Sequence, residues 1–184
     1  SRFAMVARSL VESGARVIIT GAVSDERLRD AFMLDARDLH IVDAVGRCDL
    51  FQLAALIERC DAYVTADSGP MHIAAAVGTP VVALFGPTSP ERHGPVGVGH
   101  SVVQASLPCV PCYRRGCKLR DKNLCMESIE ADEVISKAQR TRRPERVRVR
   151  LRAHTRGIAN DVPVDRCQGG WGCNRHHERC GTRC

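Results

Sequence analysis

Short apolar runs alternate with helix-length segments along the first hundred residues, and this alternation constrains the fold more than any other feature. The first run is β-branched and ends in Gly21. Such runs are typical of buried strands, and they lie at residues 16–21, 39–43, 62–66, 81–85 and 101–104. Strands separated by helices are typical of βαβ units around a parallel sheet. We therefore predict an α/β fold with a Rossmann-like, doubly wound parallel sheet.

The helices are predicted from apolar periodicity and from residues that begin or end helices. Gly14 stands where a C-cap glycine belongs, Asp49 is a suitable N-cap, and Pro70 suits a first helical turn. The predicted helices cover residues 3–13, 24–34, 50–59, 70–77 and 129–138.

Charge divides the chain into two parts. Residues 1–139 hold 15 basic and 17 acidic residues, whereas residues 140–184 hold 12 Arg, no Lys and 4 acidic residues. We predict a folded domain over 1–139 and an Arg- and Cys-rich tail over 140–184 that is disordered or non-native. No apolar run approaches the roughly 18 residues of a membrane span.

The most informative motif follows the third predicted strand and reads Asp67-Ser68-Gly69-Pro70-Met71-His72. A helix that begins there directs its unpaired N–H groups and its positive dipole end at one point, which is an anion site. Gly69 has no Cβ, so a ligand can approach the backbone closely. The motif predicts a phosphate or diphosphate site. A plain capped turn is the alternative, because Asp and Ser both satisfy amides at helix starts.

A second loop, Gly86-Pro87-Thr88, follows the fourth predicted strand. Open parallel sheets bind their ligands at the carboxyl ends of the strands, so this loop is predicted to line the same cleft as Asp67. The alternative is a plain turn, since Gly and Pro dominate turns.

Four cysteines fall within 17 residues, and the first two have the spacing of a metal knuckle. One hypothesis is a structural zinc or iron–sulfur site, and the other is a set of thiols that binds no metal. The residues concerned are Cys109, Cys112, Cys117 and Cys125.

With these residues together, the chain resembles the carboxyl-terminal half of glycosyltransferase family nine, the ADP-heptose:lipopolysaccharide heptosyltransferases. The resemblance covers about residues 15–138 and is most specific over 67–88. The cysteine pattern and the closing helix at 129–138 add to it. The resemblance implies the carboxyl-terminal domain of a GT-B enzyme, which binds the sugar nucleotide. The amino-terminal acceptor domain, with the catalytic base, is expected to be missing from this chain.

The same resemblance implies transfer of a heptose from ADP-heptose to the lipopolysaccharide inner core, with inversion at the anomeric carbon and without a cofactor for the chemistry. Asp67 is then the catalytic candidate beside the sugar. His72 in the first helical turn is a phosphate or sugar ligand, with simple packing as its alternative. Glu26, or less favourably Asp25, is a ribose ligand, with a helix-dipole carboxylate as the alternative.

The implied partners are the sugar nucleotide, the lipopolysaccharide acceptor and the missing domain, and the implied location is the cytoplasmic face of the inner membrane. One rival function is another GT-B nucleotide-sugar transferase or an epimerase. Another is a nucleic-acid-binding module built on Cys knuckles and the Arg-rich tail. With 4% aromatic residues, the chain has few side chains on which bases can stack, so no nucleic acid is expected.

Overall fold

The computed structural model describes residues 1–119 and 123–143. The strands are β1 (Val17–Ile19), β2 (Ile41–Asp43), β3 (Tyr63–Ala66), β4 (Val81–Phe85) and β5 (Ser101–Gln104). The helices are α1 (Arg2–Glu12), α2 (Glu26–Asp35), α3 (Leu50–Glu58), α4 (Gly69–Ala76), α5 (Pro90–His93), α6 (Leu124–Glu127) and α7 (Ala131–Arg140). Every predicted strand and helix is present within a few residues of its expected bounds, and the short helices α5 and α6 are additional.

All the paired strands run parallel. β1 pairs with β2, and β4 lies between β3 and β5. Within the described residues the hydrogen bonds therefore form a two-stranded and a three-stranded sheet, where the sequence predicted one. The end of β1 and the start of β3 are linked by a hydrogen bond of 2.9 Å between Thr20 Oγ1 and the Tyr63 hydroxyl. The α/β class with a parallel sheet is confirmed.

β4 is the centre of the core, because all five of its residues are buried. Side chains alternate across a strand, so Val82 and Leu84 pack with Val134 of α7 on one face. Val81, Ala83 and Phe85 pack on the other face, with Ile57 and Met71 of α3 and α4 among their neighbours. Helices on both faces of a fully apolar strand are the mark of a doubly wound sheet.

Local signals explain where several helices begin. The Asp49 carboxylate accepts a hydrogen bond of 2.8 Å from the Gln52 N–H, and the Gln52 side chain accepts one from the Asp49 N–H, which completes a capping box. α2 begins two residues later than predicted because residues 23–25 form a 3₁₀ turn first. The Asp25 carboxylate closes that turn by accepting a hydrogen bond of 2.8 Å from the Ala22 N–H.

Contacts with the body of the chain continue past α7 as far as Arg143. The Arg143 N–H donates to the Asp61 carbonyl, and the Arg143 guanidinium donates to the Glu58 carbonyl and to Thr79 Oγ1, at 2.9, 2.9 and 3.0 Å. These contacts fix the residues after α7 to the ends of α3 and α4. The predicted tail from residue 144 onward lies outside the described residues. None of the helices described has the length and apolarity that crossing a membrane requires.

Candidate functional site

The predicted anion site lies at the carboxyl edge of β3 and β4. The Asp67 N–H donates a hydrogen bond of 3.1 Å to the Leu84 carbonyl, so the strand register continues one residue past β3. This bond places the turn that follows Asp67 beside the loop that follows β4. The two loops singled out in the sequence therefore lie at neighbouring positions along one edge, as predicted from the parallel topology.

The amino end of α4 has no side-chain cap. Ser68 is in an extended conformation and makes no capping hydrogen bond. Its hydroxyl instead donates to the Ala66 carbonyl at 3.1 Å and lies 3.2 Å from Thr65 Oγ1. Helices usually satisfy their first N–H groups with such a cap. An uncapped start with Pro70 in the first turn keeps the positive end of the helix available to an anion.

Gly69 faces open space. A Cβ built at this position would meet no atom of the described part of the chain within 4 Å, apart from its chain neighbours and its own helix, and the backbone there is not in the left-handed region. The fold therefore does not require glycine at residue 69. A ligand that approaches the backbone would require it, because a side chain would occupy the space above the helix start.

The other residues of the motif differ in their surroundings. His72 is exposed one turn into α4, so its ring can reach a bound group, whereas Met71 is fully buried. Met71 packs in the core with Ile57 and Phe85, and its N–H donates to the Ser68 carbonyl at 3.1 Å. Met71 was predicted with the rest of the motif to bind the ligand, but its side chain is buried in the core instead.

Helix α6 packs against the Gly86-Pro87-Thr88 loop. A Cβ at Gly86 would lie 2.6 Å from the Met126 sulfur and 2.9 Å from the Cys125 sulfur. α6 thus packs directly on the backbone of Gly86, which accounts for glycine at this position without a ligand. Pro87 and Thr88 are half-buried beside the edge, and they remain the part of this loop that is predicted to line the cleft.

The structure distinguishes the two carboxylates predicted for the ribose. The Asp25 carboxylate already accepts a hydrogen bond from the Ala22 N–H. Glu26 is exposed in the first turn of α2, and in the described part of the chain its carboxylate makes no hydrogen bond. Glu26 is therefore the residue with an available acceptor at the end of β1, as preferred from the sequence.

The predicted metal site is not supported. No group of three or more His, Cys, Asp or Glu side chains within residues 1–119 and 123–143 is arranged to hold a metal ion. Cys109 is exposed, Cys112 and Cys117 are half-buried, and Cys125 is buried. Burial raises the pKa of the Cys125 thiol, and the neighbouring Cys112 and Cys117 raise it further.

The sequence reasoning missed a contact between the cysteine segment and the edge. The Tyr113 N–H donates to the Pro87 carbonyl at 2.7 Å. Tyr113 is also in the left-handed region, with φ of 55°, which is uncommon for an aromatic residue. The Arg92 guanidinium lies 5.7 Å from the centre of the Tyr113 ring. The sequence shows the basic residues Arg114, Arg115 and Lys118 after Tyr113, but it carries no signal for the contact itself.

The edge thus combines an uncapped helix start, a carboxylate and an exposed imidazole. N–H groups at the start of α4 can stabilise the negative charge that develops on a leaving phosphate. Asp67 is half-buried next to them and can accept hydrogen bonds from hydroxyl groups. Such an arrangement suits a sugar phosphate, with the phosphate at the helix and the sugar beside Asp67.

Comparison with known proteins points to one family. Residues 1–123 match the family described as "Glycosyltransferase family 9 (heptosyltransferase)". The chain is 37% identical over 106 residues to lipooligosaccharide heptosyltransferase 2 of Haemophilus influenzae, which covers 55% of this chain and 30% of that protein. It is 28% identical over 142 residues to the enzyme of the same name from Campylobacter jejuni, covering 76% and 44%. The chain therefore spans less than half the length of these relatives.

Solved structures agree with this match. The ADP-heptose lps heptosyltransferase II of E. coli superposes with a TM-score of 0.63 at 26% identity, over 76% of this chain and 40% of that one. A glycosyl transferase family 9 protein from Veillonella parvula superposes with a TM-score of 0.62 at 28% identity, over the same shares.

Proposed function

This chain belongs to glycosyltransferase family 9, the heptosyltransferases, and from that premise we propose that it is the donor-binding half of an inverting heptosyltransferase. The observation that carries the proposal is the uncapped start of α4 above the open space at Gly69. The proposed donor is an ADP-heptose and the proposed acceptor is the lipopolysaccharide inner core. The proposed place of action is the cytoplasmic face of the inner membrane.

We assign the roles from the order of loops along the edge. Glu26, after β1, accepts hydrogen bonds from the ribose. The N–H groups of Ser68 and Gly69 hold the diphosphate, with His72 as a further ligand from the first turn. Asp67 lies beside the sugar, where it binds hydroxyl groups or counters positive charge on the anomeric carbon. Pro70 sets the helix start, and Pro87 and Thr88 line the far side.

The chemistry balances without a metal ion in this scheme. An acceptor hydroxyl oxygen attacks the anomeric carbon from the face opposite the diphosphate. The bond between that carbon and the phosphate oxygen breaks, and the electron pair leaves with ADP. The helix start stabilises the charge on the leaving diphosphate. The hydroxyl proton passes to a base that we assign to a residue outside this chain.

Calorimetric titration with ADP, UDP and GDP tests the proposal on this chain. We expect ADP to bind the wild-type chain with a micromolar Kd. Gly69→Val should weaken ADP binding by about tenfold or more, because the valine side chain would fill the approach to the helix start. Gly69→Val should fold normally, since the added Cβ meets no atom of the described residues within 4 Å beyond its chain neighbours and its own helix. Ala76→Val adds similar bulk at the exposed far end of α4 and serves as the control.

Two results would contradict this donor assignment. Absence of ADP binding by the wild-type chain would remove the donor site, and equal binding by Gly69→Val would place the nucleotide elsewhere. A preference for UDP or GDP would favour another nucleotide-sugar transferase or an epimerase.

In a longer protein that carries the acceptor domain, Asp67→Ala should abolish transfer more than it weakens nucleotide binding, and retained turnover would exclude a catalytic role for Asp67.

A further inference from the structure

Cys125 is buried against the loop that follows β4. Its sulfur lies 2.9 Å from the position that a Cβ would take on Gly86. The thiol belongs to the core cluster that packs on the α7 face of β4, and Val110 packs against the same cluster. Buried thiols are ordinary core residues, so burial alone assigns no chemistry to Cys125. The other thiols nearby point to a further role.

Cys112 is fixed next to the same loop. The Tyr113 N–H, which directly follows Cys112, donates a hydrogen bond of 2.7 Å to the Pro87 carbonyl. On the other side of Cys112, Val110 contacts the cluster that contains Cys125. The two cysteines are therefore held beside consecutive residues of one loop, although they are far enough apart in sequence to belong to different elements.

The thiols in this region also interact electrostatically. Burial is the main cause of the raised pKa of the Cys125 thiol, and among the thiols Cys112 and then Cys117 raise it further. Coulomb interaction weakens with distance, and this order agrees with Cys112 as the closer partner of Cys125. A disulfide requires only two thiols, so the lack of a metal-binding arrangement does not prevent one.

The two thiols differ in their access to a reagent. Cys112 is half-buried, so a small molecule can reach its sulfur, whereas Cys125 is buried. Residues 101–118 contain no Asp or Glu. Three exposed basic side chains follow Cys112, namely Arg114, Arg115 and Lys118. Reactive thiols are typically found in such partly exposed, electropositive surroundings, which also attract an anionic reagent.

We propose that Cys112 and Cys125 form a redox-active pair, which an anionic disulfide of low molecular weight oxidises to an intramolecular disulfide. The new bond joins the segment before Tyr113 to α6. Both partners lie beside the loop predicted to line the cleft, so oxidation restrains this loop. The inference goes beyond the proposed function and does not depend on nucleotide binding.

The oxidation consists of two exchanges, with glutathione disulfide as the probe. The Cys112 thiolate attacks one sulfur of the probe, whose S–S bond breaks, and one glutathione leaves as a thiolate that takes up the proton lost by Cys112. The Cys125 sulfur then attacks the Cys112 sulfur, and the second glutathione leaves with the proton of Cys125. Two electrons pass from the cysteines to the probe, which is reduced to two glutathione molecules.

Mapping of the disulfide after oxidation tests the proposal. The full chain is incubated with glutathione disulfide, the remaining thiols are alkylated, and the protein is digested with trypsin. Basic residues between the cysteines allow trypsin to separate Cys112, Cys117 and Cys125 into three peptides. We expect a crosslink between the peptides that carry Cys112 and Cys125, and its loss on treatment with dithiothreitol.

Cys109 provides a matched control, because trypsin leaves it on the same peptide as Cys112 and it is more exposed. Cys112→Ser and Cys125→Ala should each lower the yield of the crosslink by about tenfold or more, since the reaction depends on the high effective concentration of two neighbouring thiols. Cys109→Ser should leave the yield within about twofold of the wild type. Circular dichroism establishes that all three variants are folded before oxidation.

Thermal unfolding provides a second readout. Oxidation should raise the Tm of Cys109→Ser by about 5 °C or more, because the crosslink restricts the unfolded chain. Cys112→Ser should show no such rise, since it cannot form the bond. An equal change in Tm for the two variants would contradict the proposal.

The mapping experiment can overturn the proposal in three ways. The folded wild-type chain can lack the bond between Cys112 and Cys125, or the crosslink can persist in Cys112→Ser or involve Cys117 instead. An identical set of disulfides in denaturing urea would show that distance along the sequence, and not the fold, selects the pair. ADP titration is read independently, so failure of the donor assignment and failure of the redox assignment give different results.

Discussion

At the scale of single residues, two glycines of the candidate site are present for different reasons. Gly69 has no neighbour within 4 Å of a built Cβ, whereas Gly86 would place its Cβ 2.6 Å from the Met126 sulfur. The sequence predicted both as ligand-binding residues, since Gly at a strand end is typical of close ligand approach and of tight turns alike. Only the packing of α6 distinguishes them, and that contact joins residues 40 positions apart.

We therefore expect Gly86→Ala to destabilise the domain by about 1–3 kcal/mol, because the methyl group overpacks the contact with Met126 and Cys125. Gly69→Ala should be within about 0.5 kcal/mol of the wild type, as is usual for exposed substitutions that lose no contact. Urea unfolding monitored by circular dichroism measures both. An unfolding free energy for Gly86→Ala equal to that of the wild type would show that α6 does not press on this loop.

At the scale of elements, strands and helices followed from local signals. β4 was predicted at its observed bounds because five apolar residues lie between Pro80 and Gly86. Asp49 was predicted as the cap of α3 and is observed as one. The 3₁₀ turn before α2 was missed, since Ser24 is a stronger N-cap candidate than Ala22. The short helices α5 and α6 were missed because four residues carry no usable periodicity.

The contribution of the α3 cap to the free energy of unfolding can be measured. We expect Asp49→Ala to lower the free energy of unfolding by about 1 kcal/mol, because the Gln52 N–H loses its acceptor. Asp49→Ser retains a capping oxygen and should lose much less. Chemical denaturation of the two variants beside the wild type provides the comparison, and equal losses would mean that the charge of Asp49 matters more than the cap.

At the scale of the whole molecule, the parallel α/β architecture was predictable because it follows from the alternation of elements. The arrangement of the cysteine segment was not predictable, since the spacing of cysteines in the sequence does not indicate which thiols are buried. Cys125 is buried under Gly86 while Cys109 is exposed, and among the described residues no three of these thiols are arranged to hold a metal ion. The positive charge of residues 113–118 was overlooked for a related reason. It was counted only within the total for residues 1–139, and the hydrogen bond between Tyr113 and Pro87 is seen only in the folded structure.

Arg143 is the residue through which the end of the described chain stabilises the whole domain. We expect Arg143→Ala to cost about 1–3 kcal/mol, because Thr79 and two backbone carbonyls lose a charged donor. The neighbouring Arg142 is exposed, and Arg142→Ala should stay within about 0.5 kcal/mol of the wild type. Thermal and urea unfolding of the pair in the full chain measure the difference, and identical stabilities would refute the stabilising role of Arg143.

The position of Arg143 also has a practical consequence for how the protein is handled. Its N–H is bonded to the carbonyl of Asp61, which precedes β3, so this residue lies at the edge of the sheet opposite Asp67. A coupling group introduced at residue 142, other than a thiol because Cys109 is itself exposed, would therefore leave the start of α4 facing the flowing sample on a biosensor chip. Nucleotides could then be compared on one immobilised surface without the coupling chemistry obstructing the site.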